Sequence, residues 1–263
     1  MYSTKNRRSL TLEVHMNARD IIRARLSTHT IPKITDIEKV KSGTTLIGFL
    51  FDNGKCALMA ADRMTSDGWH VYSPTSKKIH AIGKNVLVSG TGTVAVIQQL
   101  IDYLKTCSNA LSNETGTELS AKGKANLFLT ILRAVGGYEA QFILAGRDYL
   151  KGMFINNFDC GGGVYTSAYI CDGCGRDHAE DVLDNAWKPS LRQDEAILLA
   201  IKALVQAGKR SPFSGHPFIS PVHIALMDED GITWVKEKAI EKIIKRCVPE
   251  YFKRQKANEI EED

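Results

Sequence analysis

Two apolar runs, residues 45–51 (Thr-Leu-Ile-Gly-Phe-Leu-Phe) and 56–61 (Cys-Ala-Leu-Met-Ala-Ala), stand either side of Asp52-Asn53-Gly54. An Asn-Gly step between apolar runs is a strong hairpin signal, because both residues tolerate the positive φ that a tight reversal needs. The pattern therefore predicts strands over 45–51 and 56–61, and further short strands over 69–72, 78–82 and 85–89. The period then changes. Over about 93–108, Val96, Leu100, Tyr103 and Leu104 share one face at helical spacing, and a second helix is predicted over about 121–134.

The runs at 141–145, 152–157 and 163–170 read as a second set of strands. Helices follow over about 177–186 and 194–207, with Asp194 and Glu195 suiting the positive end of the second helix dipole. Strands return at 221–227 and 233–235. Strands, helix pair, strands, helix pair, strands is an α+β order. Two stacked antiparallel sheets with a helix pair on each outer face, a four-layer αββα sandwich, would bury every apolar face it contains. Residues 1–43 are polar, with scattered charge and a short amphipathic pattern at 18–25, and read as a separable segment. Residues 236–263 read as a charged, partly helical tail interrupted by Pro249.

Composition narrows the classes. At 263 residues and 43% hydrophobic, the chain can bury a substantial core. Its formal charge of +4, from 34 basic and 30 acidic residues, is spread along the chain and leaves no nucleic-acid footprint. The longest apolar runs, such as 196–201, fall far short of the roughly 20 residues that cross a bilayer, so no membrane association is expected. The basic cluster at 5–8 is followed by no apolar stretch of the kind a secretory signal needs. Six cysteines are too few for a disulfide scaffold in a chain of this length and suit a reducing compartment. A cytoplasmic location is expected.

The candidate chemistry starts at the Gly43-Thr44 junction. A threonine hydroxyl attacks a carbonyl only when a nearby base takes its proton. An N-terminal threonine carries such a base, since its α-amine has an unperturbed pKa of roughly 7.7 to 8.0. An internal Thr44 has an amide instead, so residues 1–43 would have to leave before activity appeared. Gly43, without a Cβ, would let the backbone adopt a strained geometry in which the Thr44 hydroxyl reaches the preceding carbonyl. Taken alone, Ser42-Gly43-Thr44-Thr45 also reads as a loop entering a strand.

Further residues bear on Thr44. Asp62, in Ala60-Ala61-Asp62-Arg63, ends the second hairpin strand, which returns it toward the start of the first. Lys77 and Lys78 open a later strand, and Ser89-Gly90-Thr91-Gly92 leads toward a helix. Together these residues resemble the β-type subunits of the 20S proteasome, which are N-terminal nucleophile hydrolases. The resemblance runs from Gly43 to about Val235, specific in its first half and looser in its second. It implies Thr44 as nucleophile after processing at Gly43, with Lys78 lowering the hydroxyl pKa and Asp62 keeping the buried ammonium paired. Gly90 would supply the oxyanion N–H. Ser66 and Gly92 match positions whose backbones pair with an extended substrate. Thr65, Val88 and Val96 match positions around the specificity pocket and suggest a neutral, apolar preference.

The chain departs from the family pattern in two places. Where a serine is usual in a Gly-Ser-Gly turn, this chain has Cys174. Where an aspartate is usual shortly before a Ser-Gly pair, Ser211 precedes Ser214-Gly215. A thiol is a poorer hydrogen-bond partner than a hydroxyl, and Ser211 supplies no negative charge. The resemblance implies an assembly of stacked rings with α-type and other β subunits, unfolded polypeptide as substrate, an ATPase regulator as a further partner, and no cofactor or metal. Two other readings stay open: a structural ring subunit without chemistry, and a metal site drawn from Cys160, Cys171, Cys174 and His178.

Overall fold

A computed structural model describes residues 41–66, 70–136, 139–217 and 220–247. Residues 1–40 with the pattern at 18–25, Trp69, and the chain beyond Cys247 with Pro249 lie outside the described residues. The first half contains β1 (Lys41–Ser42), β2 (Thr45–Phe51), β3 (Cys56–Asp62), β4 (Thr65–Ser66), β5 (Val71–Ser73), β6 (Ile79–Ile82), β7 (Val86–Thr93), α1 (Val94–Thr115) and α2 (Ala121–Val135). The second contains β8 (Ala140–Asp148), β9 (Gly152–Phe158), β10 (Val164–Thr166), β11 (Tyr169–Gly173), α3 (Arg176–Ala186), α4 (Gln193–Arg210), β12 (Val222–Asp228), β13 (Gly231–Trp234) and α5 (Glu237–Cys247).

The predicted first hairpin is present. Asp52, Asn53 and Gly54 take φ values of 48°, 55° and 81°, and β2 pairs with β3 from Phe51 opposite Cys56 to Leu46 opposite Ala61. That pair is the centre of a five-stranded antiparallel sheet in the order β11-β2-β3-β12-β13. A second antiparallel sheet runs β1-β7-β8-β9-β10, with β6 also on β7. The edge of β7 shared by β6 and β1 matters for the site. β6 covers Val86 to Ser89 and β1 covers Gly92 and Thr93, so Gly90 and Thr91 lie in the gap between them.

Alternation along β2 shows why both its faces are apolar. Leu46 points into the layer between the sheets, with Met59, Ile79, Leu87, Ile143 and Ile155. Ile47, Phe49 and Phe51 point the other way, onto Leu183 of α3 and Ile197, Ile201 and Leu204 of α4. On the outer face of the other sheet, Phe128 of α2 meets Phe142 and Phe158 edge-on at 5.0 and 5.4 Å. Helix pair, sheet, sheet, helix pair is the αββα sandwich that the element order predicts.

Several boundaries differ from the pattern's prediction. The run at 163–170 is two strands in different sheets, β10 on β9 and β11 on β2, and the chain crosses between sheets at Ser167 and Ala168. Its exposed half, Val164 to Thr166, and its more buried end, Tyr169 and Ile170, carry similar residue types, so periodicity alone does not reveal the crossing. β7 continues to Thr93 rather than ending at Ser89. Its glycines admit close neighbours: a Cβ on Gly90 would lie 2.8 Å from the Phe142 ring and 2.9 Å from Ile97. α1 runs on to Thr115, where Gly116 in the left-handed conformation ends it.

The division at 235 also changes. α5 buries Ile240 and Ile244 in the core cluster that holds α4 and β12, so residues up to Cys247 belong with the sandwich rather than with a tail. Ile244→Ala should remove about 2–4 kcal/mol of stability, read as a lower denaturation midpoint. A midpoint equal to wild type would restore the boundary at 235.

Candidate active site

Asp62 is the last residue of β3 and has no exposed surface. Its Oδ1 accepts the Thr45 N–H at 2.6 Å, and its Oδ2 accepts the N–H groups of Met64 and Gly215, both at 3.1 Å. The same Oδ2 lies 3.0 Å from Lys78 Nζ. Burial pushes the Asp62 carboxyl upward, while Lys78 and the Thr45 and Gly215 amides pull it down. Each of these four partners is a donor, so the pocket accommodates the ionised carboxylate.

Lys78 immediately precedes β6, and Ser89 on β7 fixes its backbone by donating its hydroxyl to the Lys78 carbonyl at 2.6 Å. The buried ammonium donates to Asp62, to the Met64 carbonyl at 2.5 Å and to Thr44 Oγ1 at 2.9 Å, with the Gly43 carbonyl further off at 3.3 Å. Burial pushes the Lys78 ammonium down from the ordinary lysine range, and Asp62 partly offsets this. The pair joins the two sheets, since Asp62 belongs to one and Lys78 leads into the other.

Thr44 is buried between them. Its hydroxyl donates to the Gly43 carbonyl at 2.7 Å, and its own carbonyl accepts the Cys174 N–H at 2.8 Å. Gly43 has no positive φ. The reason for glycine is contact rather than strained conformation, because a Cβ there would collide with the Phe213 carbonyl. The Gly43 N–H donates to the Ser66 carbonyl at 2.9 Å, and Ser42 lies opposite Gly92 on β7. Residues 42 and 43 therefore run between β4 and β7, next to the stretch of β7, Gly90 and Thr91, that pairs with neither β6 nor β1.

The other residues singled out from sequence fall in different places. Ser214 meets Thr45 rather than Thr44, with Oγ 2.7 Å from Thr45 Oγ1. Ser211 caps α4, which extends past the predicted end at 207, and its N–H donates to the Ala207 carbonyl. Cys174 is exposed, and it meets Thr44 through its N–H, which donates to the Thr44 carbonyl. Thr65 donates its hydroxyl to Ser76 at 2.7 Å. Val96 is half-buried in the first turn of α1, and Val88 is fully buried as a core residue with no surface open to a ligand. Cys171 is buried with its thiol pushed up by desolvation, whereas Cys174 is exposed. Among the described residues no group of three or more His, Cys, Asp or Glu side chains is placed to hold a metal.

Sequence reasoning missed five groups that shape the site: the Met64 amide and carbonyl, the Thr45 and Gly215 amides, and the Ser89 hydroxyl. Thr45, Ser89 and Gly215 stand inside motifs that the sequence singles out, but nothing there marks their groups as partners of Asp62 and Lys78. A Cβ on Gly215 would lie 2.7 Å from Met64 Cβ and 2.9 Å from Asp62 Oδ2.

A family model described as Proteasome subunit matches residues 40–222, a span that contains the whole cluster around Thr44. Proteasome subunit beta 2 of Pyrococcus furiosus is 30% identical over 210 residues, which cover 79% of this chain and 98% of that protein. Proteasome subunit beta 1 of Thermococcus sibiricus is 29% identical over 212 residues, covering 80% and 98%. Proteasome subunit beta of Methanococcus vannielii is 26% identical over 207 residues, covering 78% and 92%. Fold, match and relatives agree that the chain belongs to the proteasome subunit family, as a β-type member.

Proposed function

We propose that this chain is a threonine-type endopeptidase subunit of a 20S proteasome-like particle, made as a precursor that loses residues 1–43 to leave Thr44 as its N-terminal nucleophile. The observation that carries this reading is Lys78 Nζ at 2.9 Å from Thr44 Oγ1 and 3.0 Å from Asp62. An ammonium at that distance favours the alkoxide that forms as the hydroxyl loses its proton. Attack by Thr44 Oγ on a peptide carbonyl forms a C–O bond. Its proton passes to the α-amine, directly or through one water, and then to the leaving amine as the C–N bond breaks. Water activated by the same amine hydrolyses the resulting ester. Gly90 is the proposed oxyanion donor.

The substrate is unfolded polypeptide laid as an extended strand. Support comes from residues 42 and 43, whose backbone pairs with Gly92 and Ser66 as a substrate strand would. Removing 1–43 would free that edge. Thr65 and Val96 are proposed to border the specificity pocket, while Cys174, Ser211 and Ser214 support Thr44 through the backbone and Thr45. The relatives' names support assembly with other subunits. The proposal extends this to stacked rings with α-type and other β subunits in the cytoplasm, served by an ATPase regulator. A catalytically silent ring subunit is the second reading, favoured by Cys174 and Ser211, which stand where the family usually has a serine and an aspartate.

Thr44→Ala in the assembled particle should abolish hydrolysis of a short peptide amide attributable to this subunit; hydrolysis equal to wild type would favour the silent reading. Lys78→Ala should lower kcat by about 10²-fold or more, and kcat within twofold of wild type would remove lysine from the mechanism.

A further inference from the structure

A second polar tie crosses between the sheets beside Thr44, and nothing in the proposed chemistry uses it. Asp172 lies on β11 of the five-stranded sheet and Thr91 on β7 of the other, and both are buried. Thr91 Oγ1 donates to Asp172 Oδ2 at 3.0 Å, while Asp172 Oδ1 accepts the Gly173 N–H at 2.7 Å. The carboxylate thus holds β7 with one oxygen and the turn after β11 with the other.

Both ends of this tie adjoin the site. Thr91 stands between Gly90 and Gly92, in the gap on β7 left by β6 and β1. On the other end, Gly173 has a φ of 93°, and a Cβ there would collide with the Thr44 carbonyl and lie 3.2 Å from Thr91 Cγ2. The next residue, Cys174, donates its N–H to the Thr44 carbonyl. A buried carboxylate is a costly way to pack two sheets, since an apolar pair of similar volume would avoid the desolvation. What it adds is a fixed geometry between one particular hydroxyl and one particular amide.

We infer that Asp172 is a positioning residue: through Thr91 it sets the separation between the β7 segment bearing Gly90 and the turn that holds the Thr44 carbonyl. The inference rests on the reading of Thr44 as nucleophile and Gly90 as oxyanion donor. Asp62–Lys78 ties the sheets at the hydroxyl of Thr44, and Asp172–Thr91 ties them at its carbonyl, so the nucleophile is held between two cross-sheet bonds.

The test compares Thr91→Val, which keeps the shape and removes the hydroxyl, with Asp172→Asn, the double variant, Thr91→Ser and Thr44→Ala, all in the assembled particle. Peptide-amide kinetics and amide hydrogen exchange are measured on each. Thr91→Val and Asp172→Asn should each lower kcat by about tenfold with KM within twofold, as a small misplacement of the nucleophile would. The double variant should be no worse than either single one, and Thr91→Ser should retain wild-type kcat. Exchange should rise together in peptides covering 86–93 and 169–175. If Thr91→Val leaves exchange in those segments and kcat at wild-type values, the inference is wrong; a rise in exchange without loss of kcat also overturns it. Should Asp172→Asn fail to fold, the valine and serine variants decide the matter. If Thr44→Ala hydrolyses peptide like wild type, the proposed function falls, and coupled exchange alone then decides whether the tie exists.

Discussion

The buried pair of Asp62 and Lys78 is the constraint around which the site is built. Two charges removed from water must be met by complete hydrogen bonding, or the desolvation cost exceeds their attraction. Here the carboxylate takes three backbone N–H groups besides the ammonium, and the ammonium takes a backbone carbonyl and the Thr44 hydroxyl besides the carboxylate. Meeting those demands fixes more than the two side chains. Gly215 has to approach too closely for a Cβ, Met64 has to turn its amide and its carbonyl inward, and the two sheets have to meet at this point. Thr44, immediately before β2, is buried at the junction.

The same constraint gives the chain that still carries residues 41–43 a particular character. Thr44 is enclosed, and the residues before it already occupy the strand position between β4 and β7. In the proposed function, the chain upstream of the junction is both the first strand in the groove and the obstacle to any other. Removing it would expose the edge of β7 and at the same time turn the Thr44 amide into an amine, so groove and base would appear in one event.

Much of this was legible in the sequence, for identifiable physical reasons. The first hairpin was readable because Asn53 and Gly54 supply a backbone conformation few residues tolerate, and the layer order followed from the alternation of strand and helix periods. Thr44, Asp62 and Lys78 could be singled out because their side chains carry the chemistry. Their main-chain partners could not, since any residue offers an amide and a carbonyl. The crossing at Ser167 and Ala168 is hidden because strands in both sheets use the same residue types, and the length of β7 is hidden because Gly90 and Gly92 are ordinarily breakers, whereas here they admit the close approach of Phe142 and Glu139. Ile240 and Ile244 were masked by the surrounding charge. Asp172 gave no signal, as its partner lies on a strand far away in sequence.

The proposed chemistry depends on cleavage of the Gly43–Thr44 bond. Intact mass and N-terminal sequencing of this subunit, taken from the assembled particle, test it most directly. The expected result is a chain that begins at Thr44 and lacks the mass of residues 1–43; a subunit that still carries those residues in the assembled particle would rule out Thr44 as its nucleophile.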